Sequence, residues 1–124
     1  MVYKCEIREA SKELTARERL KYKDTGNSIG LEELTRDGDF LIHGPFEYVV
    51  LDIENEKAKD NPNYTKYVVI EASGNSYITG SESFWKAFLE IFNEMQGEPE
   101  YSILVKQTAS RNYKDKTFIT CAIV

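Results

Sequence analysis

The sequence predicts a mainly β domain with some α content, built as a five-stranded Greek-key barrel of the OB type with an N-terminal extension. Three observations lead there. Five segments carry strand signatures: Phe46–Asn55, Tyr64–Ala72, Ser76–Thr79, Tyr101–Thr108 and Lys116–Val124. One segment, about 81–96, has strong helical periodicity and falls between the third and fourth of these strands. Strand, strand, strand, helix, strand, strand is the chain order of that barrel, whose helix plugs one end. The competing arrangement is an α+β layer, a curved sheet with the helix on one face.

The elements follow from local chemistry. Residues 1–13 alternate partly, through Val2, Tyr3, Cys5 and Ile7, which permits a short strand. Thr15-Ala-Arg-Glu18 is a capping box, in which the two side chains satisfy free backbone N–H groups, so a short helix over Ala16–Lys23 is expected. Its apolar content is thin, and residues 1–28 read as a basic arm ahead of a domain over 29–124. Asp24-Thr-Gly-Asn-Ser and Arg36-Asp-Gly-Asp are turns. Phe40–His43 is a short strand that stops at Gly44-Pro45. In Phe46–Asn55, Val49, Leu51 and Ile53 share one face, and Tyr48, Val50 and Asp52 the other. A polar loop leads to Tyr64–Ala72, and Ser73-Gly74-Asn75 turns that strand into Ser76–Thr79. Ser81 is a good N-cap. Phe84, Phe88, Ile91, Phe92 and Met95, joined by Trp85 and Leu89, form a wide apolar stripe best read as core, with Trp85 half-exposed at its margin. Gly97 and Pro99 end the helix. Ala109–Asp115 is a polar, basic hairpin loop with a tyrosine near its tip.

Length bounds the chain to one domain: 124 residues, 41% hydrophobic and 30% charged. No apolar run is long enough to cross a bilayer, and the N-terminal residues lack the apolar core of a signal peptide, so a cytoplasmic protein without membrane contact is expected. Cys5 and Cys121 lie near opposite ends and outside any CxxC pair, which suits two free, small hydrophobes in a reducing compartment.

The net charge of −5 argues against nucleic acid until its distribution is considered. Residues 1–23 carry seven Lys/Arg against four Glu, and residues 101–124 carry four against one Asp. Residues 24–60 carry three basic against ten acidic residues. Local patches, not the sum, decide contacts. In an OB barrel the ligand lies on the second and third strands and on the loops after the first and before the fifth. Those positions hold Lys66, Tyr67, Tyr77, the loop Glu56–Asn63 and the loop Ala109–Asp115. The densest cluster is Lys106, Arg111, Tyr113, Lys114, Lys116 and Phe118, which combines cations for phosphates with rings on which bases stack.

Three stretches carry a resemblance. Thr15-Ala-Arg-Glu-Arg-Leu, Tyr77-Ile-Thr-Gly-Ser-Glu-Ser-Phe-Trp85 and Ser110-Arg-Asn-Tyr-Lys-Asp-Lys-Thr-Phe-Ile-Thr-Cys121 resemble small single-stranded DNA-binding proteins encoded by phages of Gram-positive bacteria. The resemblance covers residues 15–124. It implies an OB-like fold that coats single-stranded DNA during phage replication or recombination in the host cytoplasm. It also implies contacts with replication or recombination proteins, and it leaves a homo-oligomer open. Its carry-over to Tyr113, Lys114 and Lys116 is positional. Thr120-Cys-Ala-Ile-Val reads as strand, not as the acidic tail through which many single-strand binders recruit partners.

An enzyme is not expected, and no cofactor motif is present. His43 has no Cys or second His at ligand spacing, no Gly-rich phosphate loop occurs, and Ser81 is not in a nucleophile elbow. The strongest catalytic candidates are Asp52, Glu54 and Glu71, three carboxylates that would hold Mg²⁺ if they converged. A different class of reading is a protein-binding accessory or inhibitor module, in which the acidic block 32–60 mimics DNA phosphates. RNA binding is a third reading.

Overall fold

The computed structural model describes residues 3–55, 62–109 and 117–124. It is mainly β, with its described strands in two sheets. In chain order the elements are β1 (Tyr3–Ala10), α1 (Ala16–Lys23), a 3₁₀ turn (Thr25–Asn27), β2 (Ile29–Gly30), α2 (Leu31–Leu34), β3 (Phe40–His43), β4 (Glu47–Asn55), β5 (Asn63–Ile70), β6 (Ser76–Thr79), α3 (Glu82–Glu94), β7 (Ser102–Ala109) and β8 (Thr117–Ile123). A five-stranded sheet has the order β1-β4-β5-β6-β2, and a three-stranded sheet the order β3-β7-β8.

The local signals act as their chemistry predicts. The Thr15 hydroxyl accepts from the Glu18 amide at 3.2 Å, while the Glu18 carboxylate accepts from the Thr15 amide at 3.0 Å. Lys12 reaches both Glu18 (3.0 Å) and Glu47 (3.2 Å), tying the start of α1 to the start of β4. The Ser81 hydroxyl caps α3 by accepting from the Phe84 amide, and Gly97 follows the helix at φ 87°, a conformation that favours glycine. Gly44 is required by close approach: a Cβ there would lie 3.0 Å from the rings of both Phe46 and Tyr101.

The closed five-stranded barrel is not what forms. The strands expected for it are present, but they divide between two sheets, and two further segments fill the places that closure would need. β1 zips antiparallel along β4 from Tyr3↔Asn55 to Ala10↔Val49, with a bulge between Ile7 and Glu9. β3 takes one edge of β7, with Phe40 opposite Val105 and His43 opposite Ser102. The far edge of β8 meets the start of α3, where the Ser81 and Ser83 hydroxyls donate to the Ile119 carbonyl at 3.1 and 2.8 Å. Side chains therefore occupy an acceptor that barrel closure would have paired with another strand.

The result is layered. Tyr48, Val50, Tyr67, Val69 and Tyr77 of the large sheet share one core with Phe84, Trp85 and Phe88 of α3 and with Ile42, Ile103, Val105, Ile119 and Cys121 of the small sheet. On the opposite face of the large sheet, Val49, Leu51, Ile53, Val68 and Ile70 pack with Leu14 and with Tyr22 of α1. The two-faced reading of β4 thus holds: Val49, Leu51 and Ile53 are buried on one face and Tyr48 and Val50 on the other, which opens to solvent at Asp52 and Glu54. At the N-terminus the expected short helix forms over Ala16–Lys23, and the short strand permitted ahead of it is β1, an edge strand of the large sheet. Few apolar side chains suffice there, because β1 is held by its ladder and α1 by one buried tyrosine.

Candidate nucleic-acid interface

The aromatic residues expected to bind nucleic acid fare differently on the two sheets, Tyr67 and Tyr77 being buried and Phe118 exposed. Tyr67 is 8% exposed, and its ring stacks on Trp85 with centroids 4.6 Å apart and planes 12° apart. Trp85 itself is buried rather than half-exposed, and also meets Tyr48 edge-on at 5.0 Å. Tyr77 is 3% exposed, and its hydroxyl donates to Glu71 at 2.5 Å. Both tyrosines expected to stack on bases are thus core residues. The barrel-based assignment places them on a ligand face, but α3 covers that face. Lys66 lies on the other side of the same sheet, opposite Leu51, with its ammonium 5.9 Å from the Tyr64 ring centroid. It is not brought near either tyrosine ring face.

Among the described residues nothing covers one face of the small sheet. Strand alternation turns Ile103 and Val105 of β7 and Ile119 and Cys121 of β8 inward. Leu104, Lys106 and Thr108, with Phe118, Thr120 and Ala122, therefore point outward. The register stacks them in rows: Leu41, Leu104 and Ala122 across three strands, then Lys106 opposite Thr120, then Thr108 opposite Phe118. Phe118 is 41% exposed and Leu41 40%. Lys106 and Phe118 are diagonal neighbours, roughly 7–8 Å apart and within reach of one another's long side chains.

Of the residues expected to bind nucleic acid, the structure thus brings together Lys106 and Phe118, at the root of the β7–β8 hairpin. Arg111, Tyr113, Lys114 and Lys116, and the loop 56–61, lie outside the described residues. Leu41, Leu104 and Thr120 complete the bare face without having been singled out. The period-2 pattern of β7 and β8 contained that signal for the last two. Leu41 required knowing that β3 joins β7.

Beside Phe118 lies a groove of about 460 Å³ lined by Glu32, Gly80, Ser81, Glu82, Ser83, Gln107 and Ile119. Glu32 is fixed there by a hydrogen bond from Thr79 at 2.5 Å. The two carboxylates make this flank unfavourable for phosphate, so the cation on the open face, Lys106, marks the more favourable direction.

The three carboxylates do not converge. Asp52 is held by the Arg8 guanidinium through both oxygens, and Arg8 also donates to the Thr65 hydroxyl at 3.2 Å. Asp52 pairs with Thr65, six positions before Glu71, so Glu71 is roughly 20 Å away along the strand. Glu71 is 8% exposed and accepts from the His43 amide at 2.8 Å, from Asn75 at 3.2 Å and from Tyr77. Burial raises its pKa, but the hydrogen bonds from Tyr77, the His43 amide and Asn75 outweigh that, and the carboxyl sits below its ordinary range. Burial and the same bond push the Tyr77 hydroxyl up to about 12. Glu71 therefore clasps the β5–β6 turn to the end of β3. Among the described residues no group of His, Cys, Asp and Glu is arranged to hold a metal ion. The acidic block is also partly neutralised, Glu47 by Lys12 and Asp52 by Arg8.

Among the described residues no helix is long and apolar enough to cross a membrane. Comparison with protein families, with curated proteins and with solved structures finds no match to this chain.

Proposed function

We propose that the chain binds single-stranded DNA with little sequence preference, as a coating protein in replication or recombination, on the bare face of the small sheet and its hairpin. One observation carries this reading: an exposed phenylalanine and an exposed lysine are diagonal neighbours on a solvent-facing sheet, at the root of a loop rich in cations. A base stacks on the ring of Phe118, since every base offers a π-face, while Lys106 and the hairpin cations track the phosphates. The apolar row of Leu41, Leu104 and Ala122 extends the platform across the sheet. The phage resemblance of the sequence supports the same reading.

The test is an anisotropy titration of labelled dT and rU oligomers at two salt concentrations. The expected result is tighter binding at low salt, with log K falling by about 0.7 per phosphate contact per decade of salt. Tryptophan quenching is the wrong probe here, because Trp85 is enclosed by Tyr48, Tyr67 and Phe88. No binding of either oligomer at low salt overturns the reading, and preference for rU redirects it to RNA.

A further inference from the structure

The large sheet leaves one long edge open. β1 is its outermost strand, and among the described residues no strand pairs with its far side. An unpaired edge is a template for another strand unless something blocks it. The bulge in β1 lies between Ile7 and Glu9, which leaves Tyr3–Ile7 regular. Along β1 the charges on one face alternate in sign, Lys4, Glu6, Arg8, with Lys4 and Glu6 exposed.

Two copies of one strand pair antiparallel about a two-fold axis, and opposed residues share a face of the sheet, so the axis passes through a residue. An axis at Lys4 or Glu6 sets that residue against its own copy, and at Glu6 it also sets Lys4 against Arg8. Like charges directly opposed destabilise a sheet. An axis at Ile7 carries the pairing into the bulge. An axis at Cys5 sets Lys4 opposite Glu6 of the second copy, twice over, and uses the whole regular stretch.

We propose that the β1 edge is an interface between two copies of this chain, paired antiparallel about a two-fold axis at Cys5, so that the two five-stranded sheets run on as one. The interface is independent of the DNA-binding face, which lies on the other sheet.

Sedimentation equilibrium of the full chain tests it. The expected mass is that of two chains. Glu6→Lys replaces both complementary pairs with lysine against lysine and shifts the mass to one chain. The charge swap Lys4→Glu with Glu6→Lys restores two chains. Both positions are exposed, and an unchanged circular dichroism spectrum shows that the variants fold. The register has its own readout. Paired Cys5 residues have Cα atoms roughly 4.5–5.5 Å apart, within the range a disulfide spans. Diamide, which takes up the two thiol hydrogens, then links wild type and Cys121→Ser into covalent dimers but not Cys5→Ser. A wild-type mass of one chain overturns the proposal. So does a dimer indifferent to Glu6→Lys, or a cross-link that survives Cys5→Ser.

Discussion

The five-stranded and three-stranded sheets are built from similar strands, yet they stand in opposite relation to solvent. Over Tyr48–Val50, Val68–Ile70 and Tyr77 the large sheet is covered twice, by α3 and the small sheet on one side and by α1 and Leu14 on the other, while its β1 margin keeps a charged face in solvent. Its Tyr48, Tyr67 and Tyr77 are buried in packing. Among the described residues the small sheet is covered once, and its outer face keeps Leu41 and Phe118 about two-fifths exposed. An aromatic residue in a strand is therefore a ligand candidate only where nothing in the same chain claims its ring. That criterion separates Phe118 from Tyr67 and Tyr77.

Substitutions sharpen the contrast. Tyr67→Ala removes the ring stacked on Trp85 and costs about 3 kcal/mol of stability, measured by urea unfolding, as deletions of buried aromatics do. DNA affinity of the protein that remains folded changes less than about twofold, within the near-additivity of distant sites. Phe118→Ala does the reverse: stability moves by about 0.5 kcal/mol or less, while DNA binding weakens by about 1–3 kcal/mol. If both variants lose stability and binding together, the two sheets are not functionally distinct.

The Glu71 clasp gives a smaller, pH-dependent effect. Glu71→Gln costs about 1.5 kcal/mol at neutral pH, because hydrogen bonds to a charged acceptor are lost. The folded carboxyl sits below its ordinary range, so the folded state binds this proton more weakly than the unfolded chain. Its stabilisation is complete above the unfolded pKa of about 4.3 and is lost as pH falls through the folded value. The gap between wild type and Glu71→Gln in unfolding experiments therefore narrows as pH falls below about 4.3. A gap that stays constant as the solution is acidified contradicts the assigned ionisation. Smallest of all, Lys106→Ala leaves stability unchanged and reduces the slope of log K against log salt by about 0.7, one single-strand phosphate contact.

Most elements were legible in the sequence, because their signals are local. The Thr15–Glu18 box, the Ser81 cap, Gly97 and the alternation of β4 each act within a few residues. The pairing was not legible. Nothing in Phe40–His43 distinguishes a strand that joins β7 from one that joins β4, and the choice depends on contacts such as the Glu71 carboxylate meeting the His43 amide. β1 was ambiguous because its face toward α1 is only half-buried and its other face is charged. The placing of Tyr67 and Tyr77 failed for the same reason. Tyr67 and Tyr77 belong to a ligand face only if the sheet closes into a barrel, whereas Lys106 and Phe118 depend only on the β7–β8 hairpin, whose register follows from alternation.

The most direct test of the contrast between the sheets is backbone amide NMR with oligo-dT added stepwise. Shift changes are expected to concentrate on β7, β8 and Leu41, foremost Leu104, Lys106, Phe118 and Thr120, with β4–β6 undisturbed. Changes centred on Tyr67 and Tyr77, or a spectrum indifferent to DNA at low salt, would contradict that contrast.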